Sequence, residues 1–267
     1  MQLKIILSIL LVFNFIFVNA QTQDSDPYQY DKKTDIILFS AGAATLGLGV
    51  YLNSQVPPLT VEEIGLLDKN AVNRLDRIST GYASASAQVA SDYVLFSSLA
   101  LPSAFLASQK TRKHFVKIGV MYTQVLLLNA GLTDLTKKLF LRTRPLAYNP
   151  DFGIENKLAK DARYSFFSGH VSAVASSSFF AAKVFSDYFP NSKWKRVVWG
   201  TAIVTPMVTS FFRIKAGKHY PTDVIVGYAV GASIGYFIPH LHQKIRKKSP
   251  NVNLSVLPTG GYFSWRF

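Results

Sequence analysis

Five apolar stretches, at residues 92–108, 114–132, 171–189, 197–212 and 224–241, are separated by polar segments that carry most of the motif-like residues. Each is near the roughly 20 residues that a helix needs to cross a bilayer. Ser176, Ser177, Ser178 and Gly231 dilute them, and small residues of this kind let helices approach closely inside a membrane. A soluble helical core is the alternative; the lengths and the flanking charges favour the membrane.

Charge supports the same reading. The chain carries +14 net, yet charged residues are only 16% of it and hydrophobic residues 49%. A basic, apolar chain suits a membrane surface or an anionic substrate, not a nucleic-acid partner. The chain has no cysteine, which excludes disulfides and thiolate catalysis.

The basic residues also give an orientation. Lys110, Arg112, Lys113 and Lys117 form one cluster, Lys193, Lys195 and Arg196 a second, and Lys244, Arg246, Lys247 and Lys248 a third. The positive-inside tendency places all three in the cytoplasm. Residues 137–170 and 213–223 then face the other side, the periplasm of a bacterial-type inner membrane.

Residues 1–20 have the pattern of a secretory signal: Lys4, an apolar core over 5–18, and Val18-Asn19-Ala20 as a small-residue cleavage site. Residues 21–34 are polar. Residues 35–54 form a further apolar stretch, rich in glycine and alanine. If 21–34 were external and 35–54 crossed, every basic loop would fall outside. The expectation is therefore that 35–54 is a buried or interfacial helix that does not cross. Thr60-Val61-Glu62-Glu63 is a capping box, and Leu66, Leu67, Val72 and Leu75 extend it as an amphipathic helix. The tail, 249–267, alternates and then turns at Pro258-Thr259-Gly260-Gly261, the pattern of a small hairpin.

Three polar stretches carry chemistry. In 137–145, Lys137, Arg142 and Arg144 end an apolar helix that Pro145 stops; alone, they are ordinary helix-end cations. In 165–170, Ser168, Gly169 and His170 precede a small-residue helix, whose N-terminus can bind phosphate. In 211–223, Arg213, His219 and Asp223 crowd together, and Pro221 suits the first turn of a helix. His219 and Asp223 share one helical face.

The order and spacing resemble the type 2 phosphatidic acid phosphatase (PAP2) superfamily, in particular its bacterial membrane-associated members. That superfamily also includes bacterial acid phosphatases and vanadium haloperoxidases. Its pattern is lysine, six residues, Arg-Pro; then Pro-Ser-Gly-His; then Ser-Arg, five residues, histidine, three residues, aspartate. Here the matching positions are Lys137 with Arg144-Pro145, Ser168-Gly169-His170, and Arg213 with His219 and Asp223. Phe167 stands where the family has proline, and Phe212 where it has serine.

The resemblance implies an all-α, largely transmembrane helical bundle over 35–248. It implies hydrolysis of a lipid phosphate or pyrophosphate with no metal and no cofactor. His219 would attack phosphorus, Asp223 would hold its imidazole, and His170 would be the general acid and base. Lys137, Arg144, Ser168, Gly169 and Arg213 would bind the phosphate oxygens. Two alternatives remain at this point. One is a periplasmic enzyme acting on soluble esters or, like the haloperoxidases, on vanadate-bound peroxide. The other is a lipid-binding membrane protein without activity.

Overall fold

The computed structural model describes residues 26–243 together with two strands, β1 (Val252–Leu257) and β2 (Gly260–Trp265). The expected signal segment at 1–20 and the lysine cluster at 244–248 lie outside the described residues.

Six long helices make up the body: α1 (Lys32–Gln55), α2 (Ala85–Leu99), α3 (Phe115–Phe140), α4 (Gly169–Tyr188), α5 (Lys195–Lys215) and α6 (Pro221–Leu241). Their boundaries follow local chemistry. Asp31 caps α1 by accepting from the Lys33 N–H at 3.1 Å. Pro221 opens α6 at its first turn, and the Asp223 carboxylate reaches back to the Tyr220 N–H at 2.9 Å. α3 stops one turn before Pro145, because Leu141 adopts a left-handed conformation, φ 46°, and turns the chain aside. Pro145 instead opens a single 3₁₀ turn, Pro145–Tyr148.

Among the described residues, five segments are long and apolar enough to cross a membrane: Lys32–Gln55, Ala85–Leu106, Phe115–Tyr148, Lys195–Lys215 and Pro221–Leu241. The sixth helix, α4, is the centre of the bundle and packs against α2, α3, α5 and α6. Its serines therefore face protein. Ser176 and Ser178 hydroxyls return to main-chain carbonyls of their own helix, and Ser177 meets the Tyr122 hydroxyl at 2.9 Å.

α4 and α6 meet along a ladder of small residues. A Cβ at Gly227, Gly231 or Gly235 would run into the main-chain oxygen of Ser168, Ser172 or Ser176 respectively. This close contact sets the register between the helix that begins after Ser168 and the helix that begins after His219.

Two expectations need correction. Residues 35–54, expected as a buried or interfacial helix that does not cross, lie in a 24-residue helix of crossing length. α1 runs the full length of the bundle beside α3: its first turn meets the far end of α6, where Asp35 pairs with His242 at 3.0 Å, and its last turn meets Tyr164, whose hydroxyl reaches Asn53 at 2.9 Å. Ile36, Ile37, Val50 and Tyr51 point outward, each more than 60% exposed. α1 thus has the length and the apolar outer face of a crossing helix. The parity conflict resolves at the other side: Tyr28 pairs with Gln243, and Lys117 binds Asp26, so residues 26–31 sit at the same end as the basic loops.

The second correction concerns the capping-box helix. The box is present, with Thr60 and Glu63 exchanging bonds at 2.8 and 3.2 Å, but the helix spans only Val61–Gly65. Asp68 starts a new turn by accepting from the Asn70 N–H at 2.8 Å, and the chain continues as the 3₁₀ turns Lys69–Ala71 and Arg77–Gly81. Leu66, expected on an apolar stripe, is 84% exposed. In the tail, β1 and β2 pair antiparallel, with Val252 opposite Trp265 and Leu257 opposite Gly260.

Candidate active site

The three polar stretches converge at the end of the bundle opposite the basic loops. Main-chain bonds fasten them together. The Arg144 N–H donates to Ala162 O at 2.8 Å, the Ser165 N–H to Arg142 O at 2.9 Å, and the Ser168 N–H to Asp223 O at 3.1 Å.

His219 is 1% exposed. Its Nδ1 lies 2.8 Å from the Ser165 carbonyl oxygen. A carbonyl only accepts, so Nδ1 carries the proton and Nε2 keeps a free lone pair. Burial, and then the charges of Arg144, Arg213, Lys137 and His170, hold the His219 pKa well below the usual histidine value. The lowered pKa favours the neutral imidazole, with the Nε2 lone pair free.

Asp223 differs in detail from the expected role. Its Oδ2 is 3.6 Å from His219 Nδ1, beyond hydrogen-bond reach. The carboxylate is held by Arg142 Nη1 at 2.5 Å, Ser165 Oγ at 2.5 Å and the Tyr220 N–H at 2.9 Å. It orders Ser165 and Tyr220, and the Ser165 carbonyl in turn sets the His219 tautomer.

Around His219 stand donors without acceptors. Arg144 and Arg213 are each 4% exposed, and the Nε of each has no hydrogen-bond partner. Ser168 is fully buried, and its hydroxyl has no partner either. The Lys137 ammonium lies at Gly169, where a Cβ would come within 3.7 Å of it. Buried donors left open at this density cost stability unless something accepts from them. Each guanidinium is aimed by a side-chain hydrogen bond: Arg144 Nη2 by Asp161 at 2.7 Å, and Arg213 Nη1 by Ser91 Oγ at 3.2 Å. Four cationic or hydroxyl donors facing a neutral imidazole make a receptor for a tetrahedral oxyanion.

His170 begins α4 two residues beyond Ser168. Sequence spacing offered it no carboxylate, and the fold supplies one: Asp92, on α2, lies 2.8 Å from His170 Nε2. Arg142, read from sequence as a helix-end cation, is a bridge. Its Nη2 reaches Asp76 at 2.7 Å while its Nη1 holds Asp223, and its guanidinium stacks 4.2 Å above the Tyr220 ring. Asp76 also accepts from the Thr222 N–H at 3.0 Å and from Asn73 at 2.6 Å. Burial would raise the Asp76 pKa, but these donors outweigh it and hold the carboxyl below the usual range. Asp76 and Asp92 lie far from the motifs in sequence; only the capping-type spacing of Asn73 and Asp76 gives a local hint. Lys218, beside His219, has its pKa lowered by burial and by the nearby Arg144 and Arg213. The site is therefore strongly cationic as it stands.

The chain is 27% identical to a lipid A 4'-phosphatase of Porphyromonas gingivalis over 155 residues, 57% of this chain and 62% of the relative. It is 26% identical to an undecaprenyl-diphosphatase of Sulfolobus acidocaldarius over 121 residues, 45% of this chain and 53% of the relative. Each match thus spans less than two thirds of the relative's length. A transmembrane PAP2-type phosphatidylglycerolphosphate phosphatase from Bacillus subtilis aligns in structure over 91% of this chain and 98% of its own, at 17% identity and a TM-score of 0.42. The PAP2 superfamily profile matches residues 118–247, a segment that holds all three site stretches. That segment belongs to the PAP2 superfamily.

Proposed function

We propose that this protein is a membrane phosphatase that removes phosphate from a lipid phosphomonoester or diphosphate by way of a phosphohistidine on His219. The observation that carries the reading is the set of unpartnered buried donors, Arg144 Nε, Arg213 Nε and Ser168 Oγ, gathered with Lys137 around a neutral His219. In the first step the His219 Nε2 lone pair attacks phosphorus, the P–O bond to the lipid breaks, and His170 protonates the departing oxygen. In the second, His170 takes a proton from water as the water attacks phosphorus and the P–N bond breaks. Lys137, Arg144 and Arg213 offset the charge on the equatorial oxygens. The reaction is expected to persist in EDTA, because Lys137, Arg144 and Arg213 supply the positive charge that a metal ion supplies in many phosphoryl transfers.

Two further features support a lipid substrate: five crossing-length apolar segments surround the site end, and the two curated relatives are named for a lipid A phosphate and an undecaprenyl diphosphate. The basic loops at the far end support a site facing the periplasm. The test is phosphate release from lipid A, undecaprenyl diphosphate and phosphatidic acid in detergent micelles, with His219→Ala as control. Release from one lipid class, blocked by vanadate and lost in His219→Ala, is the expected result. Release that survives in His219→Ala would end the phosphohistidine reading.

A further inference from the structure

We propose that Asp92 is a positioning residue for His170, holding the imidazole with Nε2–H on its carboxylate so that Nδ1 is the nitrogen that exchanges protons with the substrate. The inference rests on the phosphatase reading and adds to it a residue of α2, outside the segment 118–247 that matches the family.

The geometry carries it. Asp92 Oδ1 is 2.8 Å from His170 Nε2, and an ionised carboxylate can only accept, so the proton lies on Nε2. One turn of α2 serves two groups of the site: Ser91 Oγ accepts from Arg213, and Asp92 Oδ1 stands 3.8 Å from the same guanidinium. The side chain of Asp92 remains 40% exposed, and ion pairs so exposed stabilise a fold by little. A carboxylate at the mouth of an anion receptor also repels the anion. Both points argue against a purely structural role and for one that acts on His170.

The proton path then balances. Burial, Arg213 and Lys137 lower the His170 pKa to about 4 against the pull of Asp92, so the imidazolium forms when a bound phosphate anion offsets those cations; with Nε2–H on Asp92, it gives its Nδ1 proton to the lipid oxygen as the P–O bond breaks and becomes the neutral Nε2–H tautomer. The water that attacks the phosphohistidine gives a proton back to Nδ1, and the P–N electron pair returns to His219. Asp92 stabilises the charged form in both steps and does not itself become protonated, as in triad logic.

Rapid-quench trapping separates this role from others, with phosphatidic acid and p-nitrophenyl phosphate as probes. In Asp92→Asn, phosphoenzyme formation from phosphatidic acid is expected to slow on the order of 10- to 100-fold, as when a partner that orients a histidine is lost, and less than the roughly 10²–10⁴-fold of losing the acid itself. Formation from p-nitrophenyl phosphate, whose leaving group needs no proton, is expected at the wild-type rate. Breakdown slows for both, so phosphoenzyme accumulates with p-nitrophenyl phosphate. Asp92→Glu restores part of the rate, and Asp92→Asn adds nothing in a His170→Ala background. Equal slowing of formation with both probes, weaker vanadate inhibition in proportion to lost turnover, or a further loss in the double variant would overturn the inference and place Asp92 with the Arg213 cradle. Wild-type protein that formed no phosphoenzyme would instead sink the phosphatase reading beneath it.

Discussion

Arg142 Nη1 meets Asp223 Oδ1 at 2.5 Å while Nη2 of the same guanidinium meets Asp76 Oδ2 at 2.7 Å, and both carboxylates are fully buried. One cation thus joins the 3₁₀ loop before α2 to the first turn of α6. Arg142→Ala would leave two buried carboxylates facing each other without a counter-charge. Breaking a buried ion pair on one side costs about 3–5 kcal/mol. Thermal unfolding in detergent should show a loss of that order, together with loss of phosphate release. Arg142→Lys keeps the charge but cannot fork to both partners, so it should recover only part of each. Unchanged unfolding of Arg142→Ala would refute the bridge.

Ser168 gives the opposite pattern. Its hydroxyl is buried and has no hydrogen-bond partner. Ser168→Ala should leave stability equal or slightly higher, because an unsatisfied hydroxyl is removed. Vanadate inhibition should weaken about tenfold, the worth of one hydrogen bond to a charged group. A variant that unfolds earlier yet binds vanadate normally would mean that the hydroxyl serves the fold.

These two residues show how far the sequence could be read. The three motif stretches were visible because each is short: Lys137 to Arg144, Ser168 to His170 and Arg213 to Asp223 are local patterns with local physical reasons. Helix starts were visible for the same cause, as with Pro221 and Thr60. Arg142 was visible only as a basic helix end, since its partners Asp76 and Asp223 lie 66 and 81 residues away. Asp92 was a lone acid opening an apolar stretch, and its partner lies 78 residues on. The course of α1 along the bundle was illegible for a related reason. Membrane parity was counted from an assumed external N-terminal segment, whereas the pairing of Tyr28 with Gln243 ties that segment to the end of α6.

Gly231 tests the ladder that aligns α4 with α6. A side chain there would strike the Ser172 main chain. Gly231→Leu should lower stability by about 1–3 kcal/mol through overpacking, and it should lower turnover more than the stability loss explains, because Ser168 and His219 lie on the two helix starts being pushed apart. Gly119→Ala is the control, since nothing lies within 4 Å of its Cβ position. Equal behaviour of the two variants would rule out the register argument.

His219 sets a pH dependence with a definite sign. Its folded pKa lies well below the unfolded value, which is about 6.5. Below about pH 6.5 the unfolded chain therefore binds a proton that the folded chain refuses. The contribution to stability is full above that pH and is lost as pH falls toward the folded pKa, with a slope of at most about 1.4 kcal/mol per pH unit. His219→Gln cannot take up this proton, so its unfolding temperature should fall less between pH 7 and pH 5 than that of the wild type. Parallel curves for the two proteins would mean that His219 is charged in the folded state.

The chain's lack of cysteine makes topology directly testable with single introduced thiols. Tyr30 is 56% exposed and lies beside the end that holds Lys117 and Lys193, whereas Leu66 is 84% exposed at the site end. With α1 crossing from one end to the other, Tyr30→Cys and Lys193→Cys should react with an impermeant thiol reagent from one side of the membrane. Leu66→Cys and Glu155→Cys should react from the other. By the positive-inside tendency, the first pair is expected on the cytoplasmic side and the second on the periplasmic side. If Tyr30→Cys labelled together with Leu66→Cys, α1 would not cross, and the interfacial placement of residues 35–54 would return. If the two pairs separated but with the sides exchanged, α1 would cross as drawn and the site would open to the cytoplasm, which would restrict its substrates to lipids of the inner leaflet.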